Sequence, residues 1–275
     1  ILNCWGNLRR WMANQVHHAL WYREIYSYVG VIECLSGMPI DVEFITFDQV
    51  REGLDPDIKV IINAGDAYTS WSGADNWKDE RVVCAIRRFV DQGGGFIGVG
   101  EPSACQYQGR FFQLSDVLGV DRELGFSMST DKYNELNSNH FILEDTPGEI
   151  DFGEGKSRIY AQGENYQILN MDGKYSRLVV NNYGKGRSVY FTGLPYSPQN
   201  CRILLRAIYF AAHQESEIKK YYVTNVDTEV VAFEKTGKIA IINNSKEPKQ
   251  TELYVNGQLK KQLDMAPMEM RWENL

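Results

Sequence analysis

The stretch 63–77 (NAGDAYTSWSGADNW) gathers the groups best suited to hold a sugar. Asp66, Thr69, Ser70, Ser72 and Asp75 supply carboxylates and hydroxyls that can exchange hydrogen bonds with sugar hydroxyls. Trp71 and Trp77 supply indole faces of the kind that stack on the apolar side of a pyranose ring. Asp66, Ser70, Trp71 and Trp77, with Glu101 further along, are therefore the candidate substrate-binding residues. The two tryptophans read equally well as packing residues, because aromatic rings bury large areas. Glu101, in turn, reads as either a ligand contact or an anchor of its own loop.

Other chemistry-bearing patterns fail on context. Gly93–Gly98 (GGGFIG) matches the dinucleotide fingerprint in letters, but here the glycines follow a helix and open a strand. The fingerprint needs the reverse order, so that a helix N-terminus meets the pyrophosphate. His17 and His18 are adjacent and point to different helix faces, so they cannot chelate one metal. Cysteines and carboxylates show no metal-ligand spacing, and no metal or organic cofactor is expected.

The elements that must carry these loops alternate. Residues 1–5 read as a strand and 11–36 as a long helix, closed by Ser36-Gly37 and Pro39. Strands follow at 42–47, 58–64 and 96–99, with a short helix from 48 to 53. The segment 79–92 is an amphipathic helix with an acidic first turn, stopped by three glycines. A further helix is expected at 110–118. Strand–helix alternation of this kind predicts a doubly wound, mostly parallel sheet, whose ligands sit past the strand C-termini. Asp66 and Glu101 both fall there.

Beyond residue 120 the pattern turns β-rich, with strands at 158–161, 166–170, 177–182 and 187–192, the last two joined across Tyr-Gly-Lys-Gly. Ser197-Pro198 opens a helix over 199–213. Short strands at 230–233, 239–243, 252–255 and 258–263 then predict a small antiparallel β domain over 216–275, after an α/β domain over 1–215.

With 43% hydrophobic and 24% charged residues, the composition is that of an ordinary globular chain. A net charge of −7 leaves no basic stripe for nucleic acid, and no run is long enough to span a bilayer. Five scattered cysteines fit a reducing, cytoplasmic setting. The chain opens on an apolar strand without an initiator Met, which suggests a piece of a longer polypeptide.

The order of elements resembles class I glutamine amidotransferase-like (flavodoxin-like) domains, and Glu101 stands where their nucleophilic Cys would be. That resemblance implies no hydrolase activity here. Pro102 has no N–H for an oxyanion hole, Cys105 comes four residues late, and His140 and His213 complete no evident triad.

A closer resemblance rests on ILNCWG, HHALWYREIYSYVGVIECLSGMP, VIINAGDAYTSWSGADNW, FVDQGGGFIGVGEPSA and NNYGKGRSVYFTGLPYSPQN. Together these look like the central domain of galacto-N-biose/lacto-N-biose phosphorylases, a family that includes D-galactosyl-1,4-L-rhamnose phosphorylases. Residues 216–275 look like its small C-terminal β domain. The resemblance implies an intracellular enzyme that cleaves a β-galactosyl disaccharide with inorganic phosphate, giving α-galactose 1-phosphate. It also implies a homodimer, and a catalytic (β/α)₈ barrel N-terminal to this chain and absent from it. No family catalytic residue maps onto these positions. The expected role is to support the barrel and wall its cleft. The rival expectations are a free-standing carbohydrate-binding module and a small hydrolase acting through Cys105.

Overall fold

The computed structural model describes residues 1–3, 22–124, 135–146 and 148–275. Residues 11–21 of the expected 11–36 helix, residues 4–5 of the expected 1–5 strand, and His17-His18 lie outside the described residues.

In chain order, β1 (Leu2–Asn3) precedes α1 (Tyr22–Ser36), β2 (Ile45–Thr46), α2 (Phe47–Glu52) and β3 (Val60–Gly65). Thr46 caps α2 in a capping box with Gln49, so the strand expected to reach residue 47 stops there. Next come α3 (Glu80–Asp91), capped by Asp79, β4 (Gly95–Gly100), β5 (Ala104–Tyr107) and β6 (Arg110–Phe112). Then α4 (Ser115–Leu118), β7 (Val120–Arg122), β8 (Ile159–Ala161), β9 (Tyr166–Asp172), β10 (Tyr175–Tyr183), β11 (Gly186–Phe191) and α5 (Pro198–Ala211) complete the larger unit. The helix expected over 110–118 is thus a strand followed by one helical turn. Phe111 and Phe112 suit a pleated surface better than a helix, and the Phe112 N–H is taken by the Asp121 carboxylate at 2.9 Å.

The central sheet has the order β3-β4-β11-β10-β9. Only β3, β4 and β11 run parallel; β10 and β9 are antiparallel to their neighbours, and β1 pairs with β2 in a separate two-stranded sheet. The expectation of a doubly wound, amidotransferase-like (flavodoxin-like) fold is therefore corrected to a mixed α/β architecture. The physical reason is the tight turn at Gly184-Lys185: a two-residue connection can only return the chain antiparallel, so β10 joins as a hairpin partner of β11. The hairpin itself was expected from the sequence. Its insertion beside a parallel strand was not.

One apolar core packs Ile61 and Phe96 against α3, α4 and the β5–β8 arms, and a second packs Ile62, Ile97 and Val189 against α1 and α5. The β3–β4 register pairs Gly65 with Gly100. The two strands therefore end level, and their following residues emerge side by side. Gly100, at φ +79°, turns the chain where an added Cβ would lie 2.9 Å from Ser27 Oγ and 3.0 Å from the Gly65 carbonyl.

After α5, β12 (Tyr221–Val223), β13 (Thr228–Phe233), β14 (Lys238–Asn243), β15 (Lys249–Val255), β16 (Gln258–Met265) and β17 (Met270–Asn274) form two three-stranded antiparallel sheets, β12-β15-β16 and β13-β14-β17. Val230, Ile239, Ile241, Leu253, Leu263 and Met265 fill the space between them. β12 and β17 were not expected from the sequence. The sandwich is fastened to α5 by buried arginines. Arg202 donates to the Tyr222 hydroxyl and, at 2.7 Å, to the Val223 carbonyl. Arg206 pairs with Glu144 and with Asp145 at 2.8 Å, and Asp145 also accepts from Tyr222.

Candidate functional site

The level ends of β3, β4 and β11 bring four charged side chains together. Asp66 follows β3, Glu101 follows β4, and Arg122 ends β7. Lys156 is pinned beside the end of β11, its N–H bonded to the Thr192 carbonyl at 2.8 Å. Lys156 Nζ lies 2.7 Å from Asp66 Oδ2 and 3.9 Å from Glu101 Oε2. Arg122 closes on Glu101 Oε1, and the Ala67 N–H donates to Glu101 Oε2 at 2.8 Å. The Glu101 side chain is only 6% exposed. Below the cluster, the fully buried Tyr190 hydroxyl donates to the Gly100 carbonyl at 2.8 Å and holds the turn.

Burial pushes the Asp66 carboxyl above its ordinary range, opposed by its bond to Lys156 and by the Arg122 charge. Burial likewise lowers the Arg122 guanidinium. Two carboxylates and two cations thus neutralise one another. Glu101, held by Arg122 and a backbone N–H, is poorly placed to act as a nucleophile or a proton donor. Asp66 Oδ1 and Thr192 Oγ1 are buried and make no hydrogen bond to the described residues. Both can accept from a ligand hydroxyl.

The loop after Asp66 is a self-bonded unit. The Asp66 carbonyl accepts from the Thr69 and Ser72 hydroxyls, and Thr69, Ser70 and Ser72 are all buried. Trp77 is 1% exposed, donates its indole N–H to the Ser72 carbonyl, and meets Phe47 edge-on at 5.2 Å. Its ring lies in the core. Trp71 is half-buried, 4.6 Å from the Tyr28 ring. Of the five candidates, Asp66 and Glu101 share the ion cluster, Ser70 and Trp71 belong to the adjoining loop, and Trp77 sits beneath it.

Arg122, Lys156 and Thr192 had no local signal in the sequence, because only strand register brings them to Asp66 and Glu101. The other candidate chemistries meet specific obstacles. Cys105 is buried in the core on the α3 side, its thiol pushed up by burial. His140 packs on Phe210 at 4.8 Å, on the α5 side of the sheet. Gly95 lies in β4, directly after α3, so the glycine run does open a strand. Among the described residues, no group of three or more His, Cys, Asp or Glu is placed to hold a metal ion. None of their helices is long and apolar enough to cross a membrane.

Comparison with known proteins adds a family. Residues 1–216 match the model of the lacto-N-biose phosphorylase central domain, and 221–273 that of its C-terminal domain. The chain is 52% identical over 256 residues to the 1,3-beta-galactosyl-N-acetylhexosamine phosphorylase Cphy3030 of Lachnoclostridium phytofermentans, covering 92% of this chain and 35% of that one. It is 39% identical to the 1,3-beta-galactosyl-N-acetylhexosamine phosphorylase of Bifidobacterium longum, covering 99% and 41%. It is 31% identical to the D-galactosyl-beta-1->4-L-rhamnose phosphorylase of L. phytofermentans, covering 94% and 35%. The chain therefore spans between a third and two fifths of the length of these curated relatives. Among solved structures, a catalytic mutant of Gan42B, a GH42 beta-galactosidase from G. stearothermophilus, superposes with TM-score 0.52 at 16% identity, over 98% of this chain and 39% of that one. The fold is thus like that of a GH42 enzyme's chain, which replaces the amidotransferase-like expectation.

Proposed function

The chain belongs to the lacto-N-biose phosphorylase family, and from that premise we propose that it is the non-catalytic central and C-terminal part of an inverting β-galactosyl disaccharide phosphorylase. In the proposed reaction, phosphate attacks the anomeric carbon from the face opposite the acceptor sugar. A carboxylic acid protonates the departing glycosidic oxygen, and the products are α-galactose 1-phosphate and the free acceptor. That acid would come from polypeptide outside this chain, on an N-terminal catalytic barrel. The observation that carries the reading is the cluster at the strand ends, where Glu101 is held by Arg122 and the Ala67 N–H and Asp66 by Lys156.

The work of this part would be to buttress the barrel and contribute to a homodimer in the cytoplasm. It would also present one wall of the cleft, through Asp66, Ser70, Trp71 and Glu101, with Trp77 stiffening that loop from below. Asp66 Oδ1 would accept a sugar hydroxyl there, and Trp71 would offer part of its ring.

Phosphate-dependent cleavage of galacto-N-biose, lacto-N-biose and galactosyl-rhamnose tests this. The 275-residue chain alone should give no turnover. When it is joined to the segment that the relatives carry outside the match, turnover should appear, and Trp71→Ala should raise KM more than it lowers kcat. Turnover by the 275 residues alone overturns the proposal. The half-buried Trp71 also favours a second reading, a carbohydrate-binding module. Saturable binding of galactosides by the isolated chain, lost in Trp71→Ala, would select it.

A further inference from the structure

The two outward faces of the terminal sandwich are opposite in character. On β15 and β16 the outward residues are mostly polar and bonded across the strands, Gln250 to Asp264 at 2.9 Å and Gln262 to Glu252 at 3.2 Å, with Leu259 opposite Tyr254 the exception. That face suits water. On β13, β14 and β17 the outward face has an apolar middle, with Glu229 at one end and the bonded pair Lys238–Asn274 at the other. Register aligns Val231 with Ala240 and Trp272, and Ile242 with Met270. Phe233 adds a second aromatic ring 5.4 Å from Trp272. Phe233, Met270 and Trp272 are 44%, 55% and 54% exposed.

This face does not stand alone. Val231 and Phe233 also line a groove of about 1300 Å³ between the sandwich and the larger unit, and Val42 borders it from the far side. Charges of both signs rim the groove, Asp41, Glu43, Asp55 and Asp57 with Lys59, Lys220 and Lys235, all exposed. A contiguous apolar patch with a charged rim is the signature of a docking surface rather than of a solvated one.

We propose that this face and groove dock the additional polypeptide that the family relatives carry, through a surface with an apolar centre and an edge of mixed charge. The inference rests on the reading of the chain as part of a larger phosphorylase. About three fifths of each relative lies outside the matched region. A covalently joined segment meets the face at a millimolar-range effective concentration, which a second copy in dilute solution does not reach. An intramolecular contact of this kind needs only about 600–1,500 Å².

Oxidation of methionines by dilute hydrogen peroxide, read by peptide mass spectrometry, tests the proposal. Met270 lies on the face, and Met265, 1% exposed in the sandwich core, is the internal control. In the 275-residue chain Met270 should oxidise at least tenfold faster than Met265. In the chain joined to the relatives' additional segment, Met270 should slow about tenfold, and Trp272→Ser should restore the fast rate. Equal Met270 rates in both forms overturn the proposal. So does a 275-residue chain that already protects Met270 in a dimer that Trp272→Ser dissociates, since a second copy would then be the occupant. Phosphorolysis by the joined form is measured on the same sample. Absent turnover with Met270 protected counts against the functional reading alone, and turnover with Met270 unprotected counts against the docking surface alone.

Discussion

Glu101→Gln should destabilise the chain by about 2–4 kcal/mol while leaving its fold in place. The amide keeps one oxygen for the Ala67 N–H, now 2.8 Å from Glu101 Oε2, but loses the charge facing Arg122 and Lys156. Removing one partner of a buried ion pair costs about 3–5 kcal/mol, chiefly because the remaining charge stays desolvated. Here that figure is reduced, because the Arg122 side chain is 25% exposed and that of Lys156 19%, so water recovers part of the loss. Lys156 also keeps Asp66 at 2.7 Å. Urea unfolding is the assay. With a slope of about 3 kcal/mol per molar, the midpoint should fall by about 1 M. Arg122→Met should cost a similar amount, and the double variant should cost at least about 1 kcal/mol less than the sum, because neither charge then remains to be left unpaired. A Glu101→Gln variant within 0.5 kcal/mol of the parent (an ordinary exposed-site effect) would refute the reasoning, as would strict additivity.

Trp77→Ala should cost about 3–5 kcal/mol in the same assay, since it opens a cavity against Phe47 and orphans the Ser72 carbonyl. Arg202→Met should cost about 2–4 kcal/mol, because it strips charge-assisted bonds from Tyr222 and Val223. Proteolysis should then cut first around residues 214–228. Asp66 predicts a pH effect of definite sign. Its folded carboxyl titrates above the ordinary value of 3.8, so the folded state holds a proton that the unfolded chain has released. Its contribution is most favourable below that ordinary value and falls as pH rises toward the folded value. The stability difference between parent and Asp66→Asn, followed by urea unfolding between pH 4 and 7, should therefore decline with rising pH. A difference that grows would contradict the burial argument.

Local grammar was legible where one residue type decides the outcome. The acidic start of α3, Ser197-Pro198 opening α5 and the Gly184-Lys185 turn each sit where the sequence placed them. What the sequence could not convey is which strands become neighbours. Alternation of strand and helix reads the same whether β11 is followed by another parallel strand or preceded by its own hairpin partner. β17 escaped notice because Met270 and Trp272 alternate with polar residues on an outward face, where strands usually carry the polar set. At the candidate site, Asp66 and Glu101 were visible as strand-end residues. Their cations were not, because Arg122 and Lys156 lie far off in the chain and reach the site through register alone. Trp77 was conspicuous for its type, yet its indole N–H is spent within its own loop.

Helix α5 has a bearing on how this polypeptide tolerates exchange of parts. Its Arg202 reaches out of the larger unit to grip a tyrosine and a carbonyl of the sandwich, while Arg206 holds two carboxylates of the 141–145 segment within that unit. A foreign terminal module spliced in after this helix would leave the Arg202 guanidinium stranded unless it supplied an equivalent of Tyr222. Recombination between distant homologues behind α5 should therefore succeed more often where the incoming module keeps a tyrosine at the place of Tyr222.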